Sequence, residues 1–187
     1  MKRSNLLFVM VLAVLATGVS AEEKTAEKTP AVQTQDAGKN FLQNGSFSEL
    51  NDKGQPKAWV LKNAETVKKE GKTVLVIHKG GQASQLIFDW KGPLGQSPEP
   101  RSIQIHIRVS GSGILNIYTA AYTDDWSGGT LKRKYHGSEK IGQVKLKPET
   151  ENYTFSYTIK ADQWIGLFFN SVHGETQIES AAVTKEK

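Results

Sequence analysis

The four histidines of this chain, His78, His106, His136 and His173, are scattered, with no H-x-x-x-H or H-E-x-x-H spacing that would set two imidazoles on one zinc ion. There is no cysteine and no G-x-S-x-G elbow, so no activated nucleophile is recognisable. Asp124-Asp125 is an adjacent carboxylate pair in a loop-like stretch, but neighbours on extended backbone point apart and make a poor acid and base. The sequence therefore reads as a non-enzyme, and the chemistry it offers is that of binding. Hydrogen-bonding and aromatic residues gather between Ser102 and Gly129: Gln104, His106, Arg108, Asn116, Tyr118, Tyr122 and Trp126. A sugar presents hydroxyls at its edge and C–H faces above and below the ring. Amides and a guanidinium suit the first, and flat aromatic rings suit the second. The alternative is that a second layer of the fold covers the two tyrosines; the pattern leaves both readings open.

Elements that could position these residues follow from the alternation around them. Ile103, Ile105, Ile107 and Val109 interleave with Gln104, His106 and Arg108, and then Leu115, Ile117, Thr119 and Ala121 interleave with Asn116, Tyr118, Ala120 and Tyr122. That is the period of half-buried strands. A turn at Gly111-Ser112-Gly113 predicts a hairpin that pairs Arg108 with Asn116 and His106 with Tyr118, placing both apolar rows on one face. Further strands are expected at 41–43, 58–61, 65–70, 73–78, 83–90, 144–147, 153–159, 163–170 and 176–184, with a hairpin around Gly71-Lys72 and a long polar loop over Asp124–Gly142 that has room for a short strand. No stretch carries a convincing helical period. Many short strands with turns at this spacing predict an all-β chain, an antiparallel β-sandwich of jelly-roll topology.

The amino-terminal part is different in kind. Lys2 and Arg3, the apolar run Leu6–Leu15 and the small residues Val19-Ser20-Ala21 make residues 1–21 a secretory signal cleaved after Ala21. The run is short for a bilayer span of about 20 residues, so no membrane segment is expected after cleavage. Residues 22–40, rich in Glu, Lys, Thr, Ala and Gln, are expected to be a disordered linker, and 41–187 a single domain. Lack of cysteine excludes a lipoprotein attachment and a disulfide framework, and with the short signal suggests a secreted or periplasmic bacterial protein. The formal charge is +5; without Lys2 and Arg3, 22 basic residues face 19 acidic ones, a net +3. The basic run Leu131–His136 reads as a solvated edge, or as a contact for an anionic glycan or cell-wall polymer. Nucleic acid would need a broader basic stripe, and export argues against it.

The stretch Asn40-Phe41-Leu42-Gln43-Asn44-Gly45-Ser46-Phe47, with Pro56 and Trp59 after it, resembles the opening of galactose-binding-like jelly rolls. It is similar in particular to the carbohydrate-binding modules appended to xylanases and related glycanases. The closing stretch Thr176–Val183 resembles that family's last strand. The resemblance implies Phe47 and Trp59 as core residues and a glycan or cell-wall polysaccharide as partner. It also implies a structural calcium with Glu49 and Glu179 among its ligands; no other cofactor is required. The sequence departs from the family pattern at Ser48, which stands where a Glu is usual, and at Ser180 after Glu179. The competing class is a domain of the cell envelope that uses the same fold to hold protein partners.

Overall fold

The computed structural model describes residues 27–28, 39–87, 97–125 and 130–186. The strands are β1 (Glu27–Lys28), β2 (Val60–Lys69), β3 (Lys72–Ile87), β4 (Arg101–Gly111), β5 (Ile114–Asp125), β6 (Lys132–Lys145), β7 (Glu151–Ile159), β8 (Trp164–His173) and β9 (Thr176–Lys185). Every pairing is antiparallel, in the order β1-β7-β4-β9-β3-β8-β5-β6, with β2 alongside β3. The all-β sandwich expected from the strand pattern is the fold observed.

Strand β3 belongs to both layers. Its first half pairs with β9 through Leu75, Val76 and Ile77; its second half pairs with β8 from Gln82 to Ile87. Between them Gly80 takes a φ of 74°, and a Cβ on Gly81 would lie 2.3 Å from the Asn63 carbonyl oxygen. Only glycine allows both the conformation and the approach. Strand β2 bends in step: its register with β3 shifts between Lys62 and Ala64, and Asn63, itself at φ 48°, donates from Nδ2 to the Lys79 carbonyl at 3.1 Å. The two segments expected on either side of this corner, in both strands, are therefore one continuous strand each. The β2–β3 hairpin is present, with Lys69 opposite Lys72 and a left-handed Glu70-Gly71 turn between them.

The layers β7-β4-β9 and β8-β5-β6 face each other across one core. Ile103, Ile105, Ile107 and Val109 from β4 meet Leu115 and Ile117 from β5, with Ile165, Leu167 and Phe169 from β8. The contact between layers is close at Gly142 of β6, where a Cβ would lie 2.3 Å from the ring of Phe155 on β7. The ring of Trp59 lies 5.2 Å from that of Phe47 and stacks on Phe169 at 5.9 Å, so both opening aromatics are core residues as expected. The opening loop turns at residues other than glycine. Asn44 and Phe47 adopt the positive φ, and Gly45 is needed because a Cβ there would meet the Ala181 carbonyl oxygen at 2.1 Å.

The predicted β4–β5 hairpin does not form. β4 lies between β7 and β9, and β5 lies between β6 and β8, so neither has a free edge for the other. Gly111-Ser112-Gly113 is an arch from one layer to the other. It is held by Gly111 N–H to the Lys147 carbonyl at 2.7 Å and Ser112 N–H to the Glu175 carbonyl at 2.8 Å. The apolar rows do not lie side by side; they oppose each other. The polar loop expected over Asp124–Gly142 is largely β6, an edge strand whose charged residues protect an open edge rather than fill a core.

Ile105 is fully buried, so Ile105→Ala is expected to cost about 2–5 kcal/mol in denaturant unfolding. Gly142→Ala should cost about 1–3 kcal/mol by forcing Phe155 aside. Wild-type midpoints for both would refute the inter-layer packing described.

Candidate functional site

The crossing at the arch divides the residues expected to form one site. Gln104, His106 and Arg108 lie on the outer face of the β7-β4-β9 layer; Asn116, Tyr118 and Tyr122 lie on the outer face of the other layer. The single surface expected from a hairpin is thus corrected to two surfaces separated by the core. Trp126 lies outside the described residues.

On the first face the side chains mostly satisfy one another. His106 sits between Thr154 and Thr184, with Nδ1 3.0 Å and Nε2 3.2 Å from their hydroxyl oxygens, and burial lowers its pKa. Arg108 Nε donates to Glu179 Oε2 at 2.8 Å, and the Thr150 hydroxyl donates to Glu179 Oε1 at 2.8 Å. Burial alone would push the Glu179 carboxyl up. The hydrogen bonds from Thr150 and Arg108, with the charges of Arg108 and Lys72, outweigh it and hold the carboxyl below its ordinary value.

The second face is built of rows running across β2, β3, β8, β5 and β6, each row consisting of residues opposite one another in register. The first row is Lys62, Gln82, Asn170, Asn116 and Gln143; the next is Val60, Ser84, Phe168, Tyr118 and Lys140. Then come Leu86, Gly166, Ala120 and Ser138, followed by Trp164, Tyr122 and Tyr135, and finally Asp124 with Arg133. Gln82 Nε2 donates to Asn170 Oδ1 at 2.9 Å, which fixes the amide row. Leu86 and Phe168 close over Gly166, each 3.0 Å from where a Cβ would stand, so apolar surface continues from one aromatic row to the next. Leu86 is 49 % exposed, while Tyr118 and Phe168 are half-buried.

Trp164 is fully buried yet points away from the central core. The Tyr122 ring stacks on it at 4.6 Å and the Arg133 guanidinium lies 4.4 Å from its centroid. Arg133 is held in place by Asp124, whose carboxylate is buried, through contacts of 2.9 and 3.2 Å. Burial, with the Tyr135 hydroxyl nearby, raises the Tyr122 pKa against the pull of Arg133, so the phenol stays protonated. Phe168, Leu86, Gln82, Asn170, Gln143 and Trp164 are not among the site residues expected from the sequence. A signal for the β8 residues is nevertheless present: Trp164, Gly166, Phe168 and Asn170 alternate with Ile165, Leu167 and Phe169.

The residues expected to hold calcium do not fit it. Glu179 is engaged by a guanidinium. At the opening loop the amide of Asn44 occupies the centre: Nδ2 donates to the carbonyls of Glu49 and Lys57 at 2.8 and 3.3 Å, and Oδ1 accepts from Glu49 N–H at 3.1 Å. A hard cation needs oxygens converging on it, whereas the carbonyls of Glu49 and Lys57 accept from an amide N–H. Among the described residues no group of three or more His, Asp or Glu side chains is arranged to hold a metal ion.

No protein-family model matches the sequence, and no curated protein matches it. Among solved structures, the enzymatically active domain of tailspike protein 4 of bacteriophage CBA120 superposes with a TM-score of 0.53 at 12 % identity, over 79 % of this chain and 21 % of that one. This chain therefore spans about a fifth of the phage protein, and the likeness defines a shared fold. A family 4 carbohydrate-binding module (13 % identity, 77 % of this chain, 99 % of that one, TM-score 0.46) is also similar. So is a family 22 xylan-binding domain of Paenibacillus barcinonensis Xyn10C (14 %, 82 %, 99 %, 0.47). Both are modules of the kind the opening motif resembles.

Asn44→Ala is expected to destabilise the domain by about 0.5–1.5 kcal/mol, because the loop-closing backbone groups of Glu49 and Lys57 lose their partner to water. Excess chelator should leave the melting temperature unchanged; a drop on chelation would restore calcium to the loop. Arg108→Met should raise the Glu179 pKa and cost less than about 1 kcal/mol, given the half-exposed guanidinium. Because the folded pKa is depressed, that cost is fully present above the unfolded pKa and vanishes as pH falls through the folded one. Unfolding curves of both proteins at neutral and strongly acidic pH check the sign.

Proposed function

We propose that this protein is an exported, non-catalytic carbohydrate-binding domain whose site is the outer face of the β3-β8-β5-β6 layer. The observation that carries the reading is the amide row Gln82, Asn170, Asn116 and Gln143 beside the aromatic and aliphatic platform of Tyr118, Phe168 and Leu86. Amides in a row offer donors and acceptors to hydroxyls along a chain of sugars, and the platform covers the C–H faces of the rings. Tyr122 stands about 13 Å along β5 from Tyr118, as four residues of strand rise require, and extends the surface beyond one ring. The sole carboxylate in the rows of this face, Asp124, is buried against Arg133, which supports binding without an acid/base pair. The sequence at residues 1–21 supports export, and a mature product beginning at Glu22 in the intact mass would accord with it.

Calorimetric titration of the mature chain against a panel of polysaccharides, paired with thermal melts, tests the site. Tyr118→Ala should weaken binding by about 1–3 kcal/mol and leave the melting temperature near wild type. Arg108→Ala, on the opposite face, should leave affinity unchanged. Loss of binding in Arg108→Ala with retention in Tyr118→Ala would move the site to the other layer. Failure of every glycan to bind would leave protein contact in the envelope as the role of the fold.

A further inference from the structure

The charges on the proposed binding face are one-sided. Lys62 opens the amide row on β2, and Lys140 stands opposite Tyr118 on β6. Lys145 stands opposite Ile114 beyond the amide row, and Arg133 ends the face on the other side. Against these four cations the rows hold one carboxylate, Asp124, which is buried and already bonded to Arg133. Lys62, Lys140 and Lys145 are exposed and form no ion pair among the described residues; Lys140 Nζ is instead directed onto Gln143 Oε1 at 3.0 Å, along the amide row. The outer face of the other layer differs, because there Arg108 is matched by Glu179. An excess of cations flanking an aromatic platform is complementary to a chain that carries both sugar rings and negative groups.

We propose that the ligand is an acidic polysaccharide, with its rings on Tyr118 and Phe168 and its carboxylate or sulfate groups directed to Lys140, Lys145 and Lys62. This rests on the carbohydrate-binding reading of the same face and specifies its ligand class. The ring contacts set the register, and the lysines discriminate against neutral chains and attract the polymer over a distance limited by salt screening.

The test titrates the mature chain with polygalacturonate, its fully methyl-esterified form, chondroitin sulfate, neutral dextran and galactan, polyglutamate and single-stranded DNA, each at low and physiological salt. Polygalacturonate or chondroitin sulfate is expected to bind, and the arm that binds more tightly distinguishes carboxylate from sulfate. Esterification should weaken binding to the uronate chain if that arm is the tighter one. The double variant Lys140→Gln/Lys145→Gln should lose about tenfold in affinity and flatten the salt dependence, as expected when surface charges release counterions on binding. Tyr118→Ala should lose affinity with its salt dependence intact, and Arg108→Gln should change neither. Equal binding of neutral and acidic glycans, unaltered by the lysine substitutions, overturns the acidic ligand while leaving the carbohydrate site standing. Binding of polyglutamate or DNA as tightly as the acidic glycans, indifferent to Tyr118→Ala, overturns both, since charge alone would then account for it. Absence of binding to any glycan overturns both as well.

Discussion

The bend of β3 at Gly80-Gly81 is the constraint on which the two-layer architecture rests. One strand supplies an edge to β9 before the bend and to β8 after it, so the layers are joined by main-chain hydrogen bonds as well as by side-chain packing. The bend exists because Gly80 can take a positive φ and because Gly81 leaves room for the carbonyl of Asn63 on β2. Asn63 in turn fixes β2 to the corner through its own amide. Everything that follows in the chain is placed relative to that corner: β8 and β9 are a hairpin-like pair in sequence, yet they flank β3 on its two halves and enter different layers.

The consequence for function is that the chain has two outer faces of different chemical character. Thr154, His106 and Thr184 form a closed set of hydrogen bonds on one, with Arg108, Glu179 and Thr150 beside it. The other face presents amides, half-buried rings and unmatched lysines. Its aromatic end is preorganised: Trp164 is clamped between Tyr122 and Arg133, and Arg133 is oriented by a buried carboxylate. Rigid, prepositioned rings lose little entropy when a ligand arrives.

The opening loop is closed by a side chain. The amide of Asn44 donates to the carbonyls of Glu49 and Lys57 and accepts from the Glu49 N–H. An amide is neutral, so its bonds need no cluster of carboxylates.

By itself the sequence determined, where alternation was present, the strand and the side on which each side chain lies along it; the charged edge strand β6, without such alternation, read as a loop. Alternation at Ile103–Val109 and Leu115–Ala121 is a local property with a period of two, and those residues are buried or partly buried as the alternation demands. The resemblance in Asn40–Phe47 likewise anticipated the packing of Phe47 and Trp59. Which strands are neighbours was decided only by the tertiary structure. Gly111-Ser112-Gly113 is compatible with a hairpin or with an arch, because flexible glycines specify the freedom of a connection and not its destination. The choice fell to β6, β7, β8 and β9, all later in the chain, which occupy both edges of β4 and of β5. Arg108 and Tyr118, ten residues apart in the chain, thereby came to lie on opposite sides of the molecule. Tyr118 and Phe168, fifty apart, came to lie side by side.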